Sequence, residues 1–160
     1  MKTTGYHREL LKTAEKLVGN GKRKPRQSDL RRASSTAYYA IFHYLAYMSA
    51  HRLVGSRGKA CPEVWERTYR SLTHTNAKKV CTQLPNGLSS CPDELIALGG
   101  VFLDSQKDRE AADYTPSTKF MRSQVLDRIA TVRRAIELFD TCSNQDKKNF
   151  AAALMFATRR

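Results

Sequence analysis

The sequence predicts an all-α fold: an antiparallel, up-and-down bundle of about six helices, in one domain over residues 1–160. Three observations predict it. Apolar residues recur at helical spacing nearly everywhere. No run of period-two alternation rich in β-branched residues marks a strand. The Gly and Pro residues gather in connectors too short to part domains.

The first helix is "GYHRELLKTAEKLVGN", with Tyr6, Leu10, Leu11, Ala14, Leu17 and Val18 on one face and Gly19, Asn20 and Gly21 as its stop. A basic connector with Pro25 follows. Ser28 or Asp29 is the expected cap of a long second helix that runs to about Val54. Its stretch "RRASSTAYYAIFHYLAYM" has no Gly or Pro and is apolar on most sides, as befits the central buried helix of a bundle. A third helix is expected to open at Pro62, a good first helical residue, and to run unbroken through "EVWERTYRSLTHTNAKKVCTQL". The fourth opens at Pro92, and its Gly99–Gly100 pair marks either a close helix approach or a bend. After "YTPST", Ser117 or Thr118 is the expected cap of the fifth helix. Ser143 or Asn144 caps a sixth, which continues into the tail "FAAALMFATRR".

A chain of 160 residues can bury about 70% of its unfolded surface and needs no disulfide or metal to hold a core. The 28 Lys and Arg exceed the 15 Asp and Glu by 13, which gives a sequence pI near 9.9. That excess attracts polyanions, most often nucleic acid. A basic protein with no polyanionic partner is the alternative. Cys61, Cys81, Cys91 and Cys142 form no C-x-x-C pair and have no zinc-finger His partner, so no metal and no cofactor are expected. The start lacks the apolar core of a secretory signal, and no apolar run is long enough to span a membrane. The expectation is a cytoplasmic protein with reduced thiols and no membrane partner.

Three constellations are candidates for chemistry. On the second helix Arg32, Thr36, Tyr39 and His43 share a sector; they either reach across as satisfied core polar residues to another helix or subunit or wall a cleft. On the third, Trp65, Tyr69 and Leu72 face inward. Arg67, Arg70, His74 and Lys78 share the opposite face, which either grips phosphate through its guanidinium groups or is merely solvated. At the end of the fourth, Arg109, Asp113 and Tyr114 stand at helical spacing. The Arg and Asp either pair as a surface ion pair or belong to a site. A catalytic triad, a glycine-rich phosphate loop and a metal-ligand cluster are all missing.

Together "LRRASSTAYYAIFHYLA", "WERTYRSLTH" followed by "AKKVC", "QKDREAADYTPSTKF" and the tail "KKNFAAALMFATRR" resemble the HEPN-domain family, over nearly the whole chain. The resemblance implies a helical bundle that commonly forms homodimers. It also implies association with RNA or nucleotide in a toxin–antitoxin or other defence setting. Many members are metal-independent ribonucleases that use an Arg followed closely by a His, two copies meeting across the dimer. In that chemistry the His moves a proton and the Arg neutralises phosphate charge that develops in the transition state. This chain departs from the pattern. No His follows Arg109, and Asp113 stands where that His belongs. The Arg–His pair of suitable spacing is Arg67 and His74, on the third helix.

The expectation is therefore an RNA- or nucleotide-binding protein. If it cleaves, Arg67, His74, Arg109 and Asp113 are the catalytic candidates, and Arg32, Arg70, Lys78 and Tyr114 the nucleic-acid-binding ones. The alternative is a non-catalytic scaffold or adaptor that binds a cognate protein partner, with Arg109, Asp113 and Tyr114 in a structural role.

Overall fold

The computed structural model describes residues 5–157. Residues 1–4 and 158–160 lie outside it, and with them the first residues of the N-terminal segment and the end of the expected last helix. Among the described residues seven helices follow in order: α1 (Tyr6–Val18), α2 (Gln27–Val54), α3 (Pro62–Ser71), α4 (His74–Gln83), α5 (Asp93–Tyr114), α6 (Arg122–Asp140) and α7 (Asn144–Met155). Among the described residues there is no strand.

The architecture is a helical bundle wound around α2. Ala33, Ala37, Tyr38, Ala40, Ile41, Leu45 and Ala46 are all sealed from solvent, so α2 is covered on most of its circumference. It packs against α1, α3, α5, α6 and α7. Small residues on α2 let its neighbours approach closely, while Tyr38, Ile41 and Leu45 fill the gaps between them. Side-chain pairs fix the directions. Ser35–Asp113 and Tyr39–Arg109 run α2 and α5 antiparallel. Arg128–Asp108, with a 115–121 connector, does the same for α5 and α6. Gln27–Phe120 at one end and Tyr44–Asp140 at the other set α6 parallel to α2.

Several local expectations hold for stated reasons. Gly19 ends α1 at φ 79°, a backbone region that favours glycine, and its N–H closes on Glu15 O. Pro62 opens α3. Ser143 caps α7, its hydroxyl accepting from Asp146 N at 3.0 Å. Gly99 marks a close approach: a Cβ there would lie 2.8 Å from Leu84 Cδ1 and 3.7 Å from Cys81 Cβ, where α4 packs on α5.

Four boundaries differ from expectation. The third helix is two. It stops at Ser71, Leu72 turns extended and stays buried, and Thr73 caps a new helix by accepting from Asn76 N at 3.1 Å. The break lets α3 lie on α2 while α4 turns to α5 and α7, where the Asn76 side chain holds Leu154 O. Helix α2 starts at Gln27, not behind Ser28 or Asp29; Asp29 instead pairs with Arg26 at 3.0 Å. Helix α6 starts only at Arg122, because the backbone before it is bound elsewhere. Gln27 takes both the N–H and the C=O of Phe120, at 2.9 and 2.8 Å. Helix α7 ends at Met155, beyond which Phe156 is extended.

All four cysteines are free: Cys81 is buried, Cys91 and Cys142 half-buried and Cys61 exposed. Among the described residues no helix is long and apolar enough to cross a membrane, and no group of His, Cys, Asp and Glu could hold a metal ion.

Candidate functional site

The C-terminal end of α5 gathers the side chains with the most chemistry. Arg109 and Asp113 are one helical turn apart, with Arg109 Nε 3.1 Å from Asp113 Oδ2. This is an ion pair rather than an aligned hydrogen bond, since the Nε–H itself has no hydrogen-bond partner. The Ser35 hydroxyl on α2 donates to the other carboxylate oxygen, Oδ1, at 2.6 Å. Arg109 Nη2 donates to Tyr39 Oη at 3.3 Å, a long bond. The guanidinium carbon lies 5.7, 5.8 and 5.7 Å from the ring centres of Tyr38, Tyr39 and Tyr114. Three π faces and one carboxylate thus hold the charge. Tyr114, the outermost of the three, is 71% exposed.

His74 joins this cluster from α4. As the first residue of that helix it meets Tyr38, with Nδ1 2.6 Å from Tyr38 Oη. Its ring stacks on Phe42 at 4.1 Å and 21°. Burial lowers its pKa, and the Arg109 charge lowers it further. The ring is therefore neutral at pH 7 and can either give or take a proton. Its Nε2 makes no hydrogen bond among the described residues. Burial pushes the Tyr38 phenol well up, so it stays protonated beside the imidazole. Tyr38 is the shared element: the His74 ring centre is 5.6 Å from its ring, on which Arg109 also rests.

Of the predicted site residues, His74, Arg109, Asp113 and Tyr114 therefore come together, while Arg67 does not. The break at Leu72–Thr73 removes the single face on which Arg67, Arg70, His74 and Lys78 were expected. Arg67 and Arg70 sit exposed on α3, in an open depression shared with Glu63 and Glu66, whose carboxylates offset their charge. Lys78 is exposed on α4, one turn beyond His74. Arg32 is exposed as well, and the neighbouring Thr36 turns its hydroxyl back to Arg32 O at 2.7 Å. The active sector of α2 is displaced by one residue: Ser35, Tyr38, Tyr39 and Phe42 face α4 and α5, in place of Arg32, Thr36, Tyr39 and His43.

Arg31 rather than Arg32 works at this end of the bundle. Its guanidinium donates to the carbonyls of Ala111, Ala112, Thr115, Pro116 and Thr118. It thereby satisfies the Ala112, Pro116 and Thr118 carbonyls and shares those of Ala111 and Thr115 with the N–H groups of Thr115 and Thr118. Sequence reasoning also missed Ser35, Tyr38 and Phe42; their spacing of three and four on a helix was the available signal.

A series of ring contacts leads away from the cluster. From His74 it passes to Phe42, then His43 at 5.9 Å, Tyr69 at 5.8 Å and Trp65 at 5.4 Å. His43 Nδ1 bonds to the Tyr69 hydroxyl. Burial lowers the His43 pKa, with a further push from His74, so this second imidazole is neutral too.

Comparison of the chain with models of protein families, with curated proteins and with solved structures finds no match.

Proposed function

We propose that this protein binds single-stranded RNA at the α5 end of the bundle and cleaves it there without metal, through the ribose 2′-hydroxyl. One observation carries the reading: a fixed cation, Arg109, and a neutral imidazole, His74, rest on the same Tyr38 ring. A phosphodiester at Arg109 competes with Asp113 for the guanidinium and gains two parallel donors. His74 then takes the 2′-hydroxyl proton as the 2′-oxygen attacks phosphorus. The bond from phosphorus to the 5′-oxygen breaks, and that oxygen takes a proton from water. The products are a 2′,3′-cyclic phosphate and a 5′-hydroxyl. Exposed Tyr114 offers a stacking face for a base beside the phosphate. The net positive charge supports RNA as the partner. The homodimer and the reduced cytoplasmic setting, in toxin–antitoxin or defence work, belong to the same reading; four free thiols are in keeping with it.

The test is cleavage of RNA in EDTA by wild type, His74→Ala, Arg109→Ala and Arg67→Ala, with the end groups identified. His74→Ala should lose about 10²- to 10⁴-fold in rate, Arg109→Ala should lose both rate and binding, and Arg67→Ala should match wild type. The base must be neutral to act, so the rate should rise with pH to a plateau, with the midpoint of the rise below 6.5, the ordinary His value from which His74 is lowered. A second reading has its own observation: Asp113 already holds Arg109 and is itself held by Ser35. On that reading the cluster is structural and the chain is a scaffold for a protein partner. Folded wild type that neither cleaves nor binds RNA at low salt would favour it.

A further inference from the structure

A second concave site lies on another part of α2. Helices α1, α2 and α3 enclose a cavity of about 350 Å³, within the usual range for small-ligand pockets of about 300–1,000 Å³. Six aromatic rings line it: Tyr6, His7, His43, Tyr47, Trp65 and Tyr69. They stand at different angles. Trp65 and Tyr69 are stacked at 20°, Tyr47 meets Trp65 at 61°, and Tyr6 meets His43 at 74°. Such walls offer flat faces to a ring and edges around it.

The polar groups narrow the ligand. The Trp65 N–H is buried, in a residue only 3% exposed, and has no acceptor among the described residues. That donor is sealed inside the wall, and the Trp65 ring itself is held by Tyr69 at 5.4 Å and by the Arg57 guanidinium at 5.4 Å. His43, with Nδ1 engaged by Tyr69, keeps Nε2 to give or accept. Glu9, Glu66, Arg57 and Arg70 share the lining, two charges of each sign. A phosphate or another strong anion gains little from balanced charges. An aliphatic chain makes no use of His43 Nε2 or of the ring faces.

We propose that this cavity binds one planar heteroaromatic ring of the nucleobase class. The ring packs against the aromatic walls and presents mixed donors and acceptors to His43 and the charged rim. Its source is a free nucleoside or an unstacked base of an RNA strand. The inference rests on the RNA reading for the ligand class, and experiment separates the two.

Trp65 is the chain's only tryptophan, so its emission and its indole N–H resonance report on this cavity alone. The full chain is titrated with the four free ribonucleosides, with a short oligoribonucleotide and with toluene, following both signals. At least one nucleoside, or the oligonucleotide, should saturably quench the emission and shift the indole proton. Response to a nucleoside makes the site one for a free ring; response to the oligonucleotide alone makes it a site for a base within a strand. Tyr6→Ala, at a residue 41% exposed and so tolerant of change, and His43→Leu should each weaken the response about tenfold. Arg109→Ala should leave the nucleoside response intact. Silence of Trp65 toward nucleosides and RNA alike overturns the inference. So does an equal response to toluene, or indifference to both variants. RNA binding with a silent Trp65 sinks this site and spares the RNA reading; a nucleoside response without RNA binding at Arg109 does the reverse.

Discussion

Two arginines at the same end of the bundle are used in opposite ways. Arg31 reaches from α2 and spends its donors on five backbone carbonyls around the α5 terminus, with its guanidinium 5.5 Å from the Phe120 ring. Arg109, one to two turns inside α5, makes one long hydrogen bond to a phenol, one poorly aligned ion pair and three ring contacts. The first arrangement is saturated: any new acceptor would have to displace five carbonyls, and those of Ala112, Pro116 and Thr118 accept from no backbone N–H. The second is loose. Rings hold the cation in place without using its N–H groups, so a phosphate can take them at little cost to the fold. A buried arginine is therefore structural or available according to what occupies its donors, rather than how deep it lies.

The largest difference should appear on deleting each in turn. Arg31→Met strands the carbonyls of Ala112, Pro116 and Thr118. It should cost about 2–3 kcal/mol of stability and lower Tm by about 5–10 °C. Arg109→Met loses ring contacts and a partly exposed ion pair, and should cost about 1 kcal/mol or less. Thermal melts of the two variants side by side measure this. Equal losses would remove the distinction and return the Arg109 cluster to a structural role.

Asp113 sharpens the same contrast. Its carboxylate sits against Arg109 and opposes any incoming phosphate. Asp113→Asn keeps the shape and the Ser35 contact but removes the charge. RNA affinity at low salt should improve about threefold to tenfold, the equivalent of roughly 0.7–1.4 kcal/mol, with the fold left intact. Fluorescence anisotropy with a labelled oligoribonucleotide reads this. If Asp113→Asn lowers Tm and leaves affinity unchanged, the pair serves the fold alone.

Much of the fold was legible in the sequence. Helical period without strand pattern identified the bundle, and the burial of α2 on most of its sides followed from an uninterrupted run of Ala, Tyr, Ile and Leu. The stop at Gly19 and the starts at Pro62 and Ser143 are local backbone chemistry, which a single sequence states directly. The break at Thr73 was also written there, as a Thr three residues before an amide N–H, but "SLTHTNAKK" keeps the helical period across it and hid the change of partner. The start of α6 was not legible, because a side chain on α2, Gln27, decides it from 93 residues away. The site was legible only in part. Arg109, Asp113 and Tyr114 could be read from their spacing on one helix. The meeting of His74 with Arg109 depends on where α4 lands. Choosing Arg31 over Arg32 required knowing which sector of α2 faces α5, and periodicity fixes a face only relative to itself.

The smallest expected effect tests whether that landing of α4 matters. Gly99 gives Leu84 and Cys81 room to approach α5, and a methyl added there would meet Leu84 Cδ1 at 2.8 Å. Leu84 is partly buried and its end can move, so Gly99→Ala should cost only about 1 kcal/mol, and some of that returns as a better helix former replaces glycine. The strain falls between α4 and α5, the two helices that carry His74 and Arg109. The Arg31 clamp spans α2 and the end of α5 and lies outside it. A variant close to wild type in Tm but several-fold slower in RNA cleavage would tie activity to the spacing of α4 from α5. Unchanged cleavage with the same small loss of Tm would mean that the Tyr38 ring, on α2, holds His74 and Arg109 together whatever α4 does at its far end.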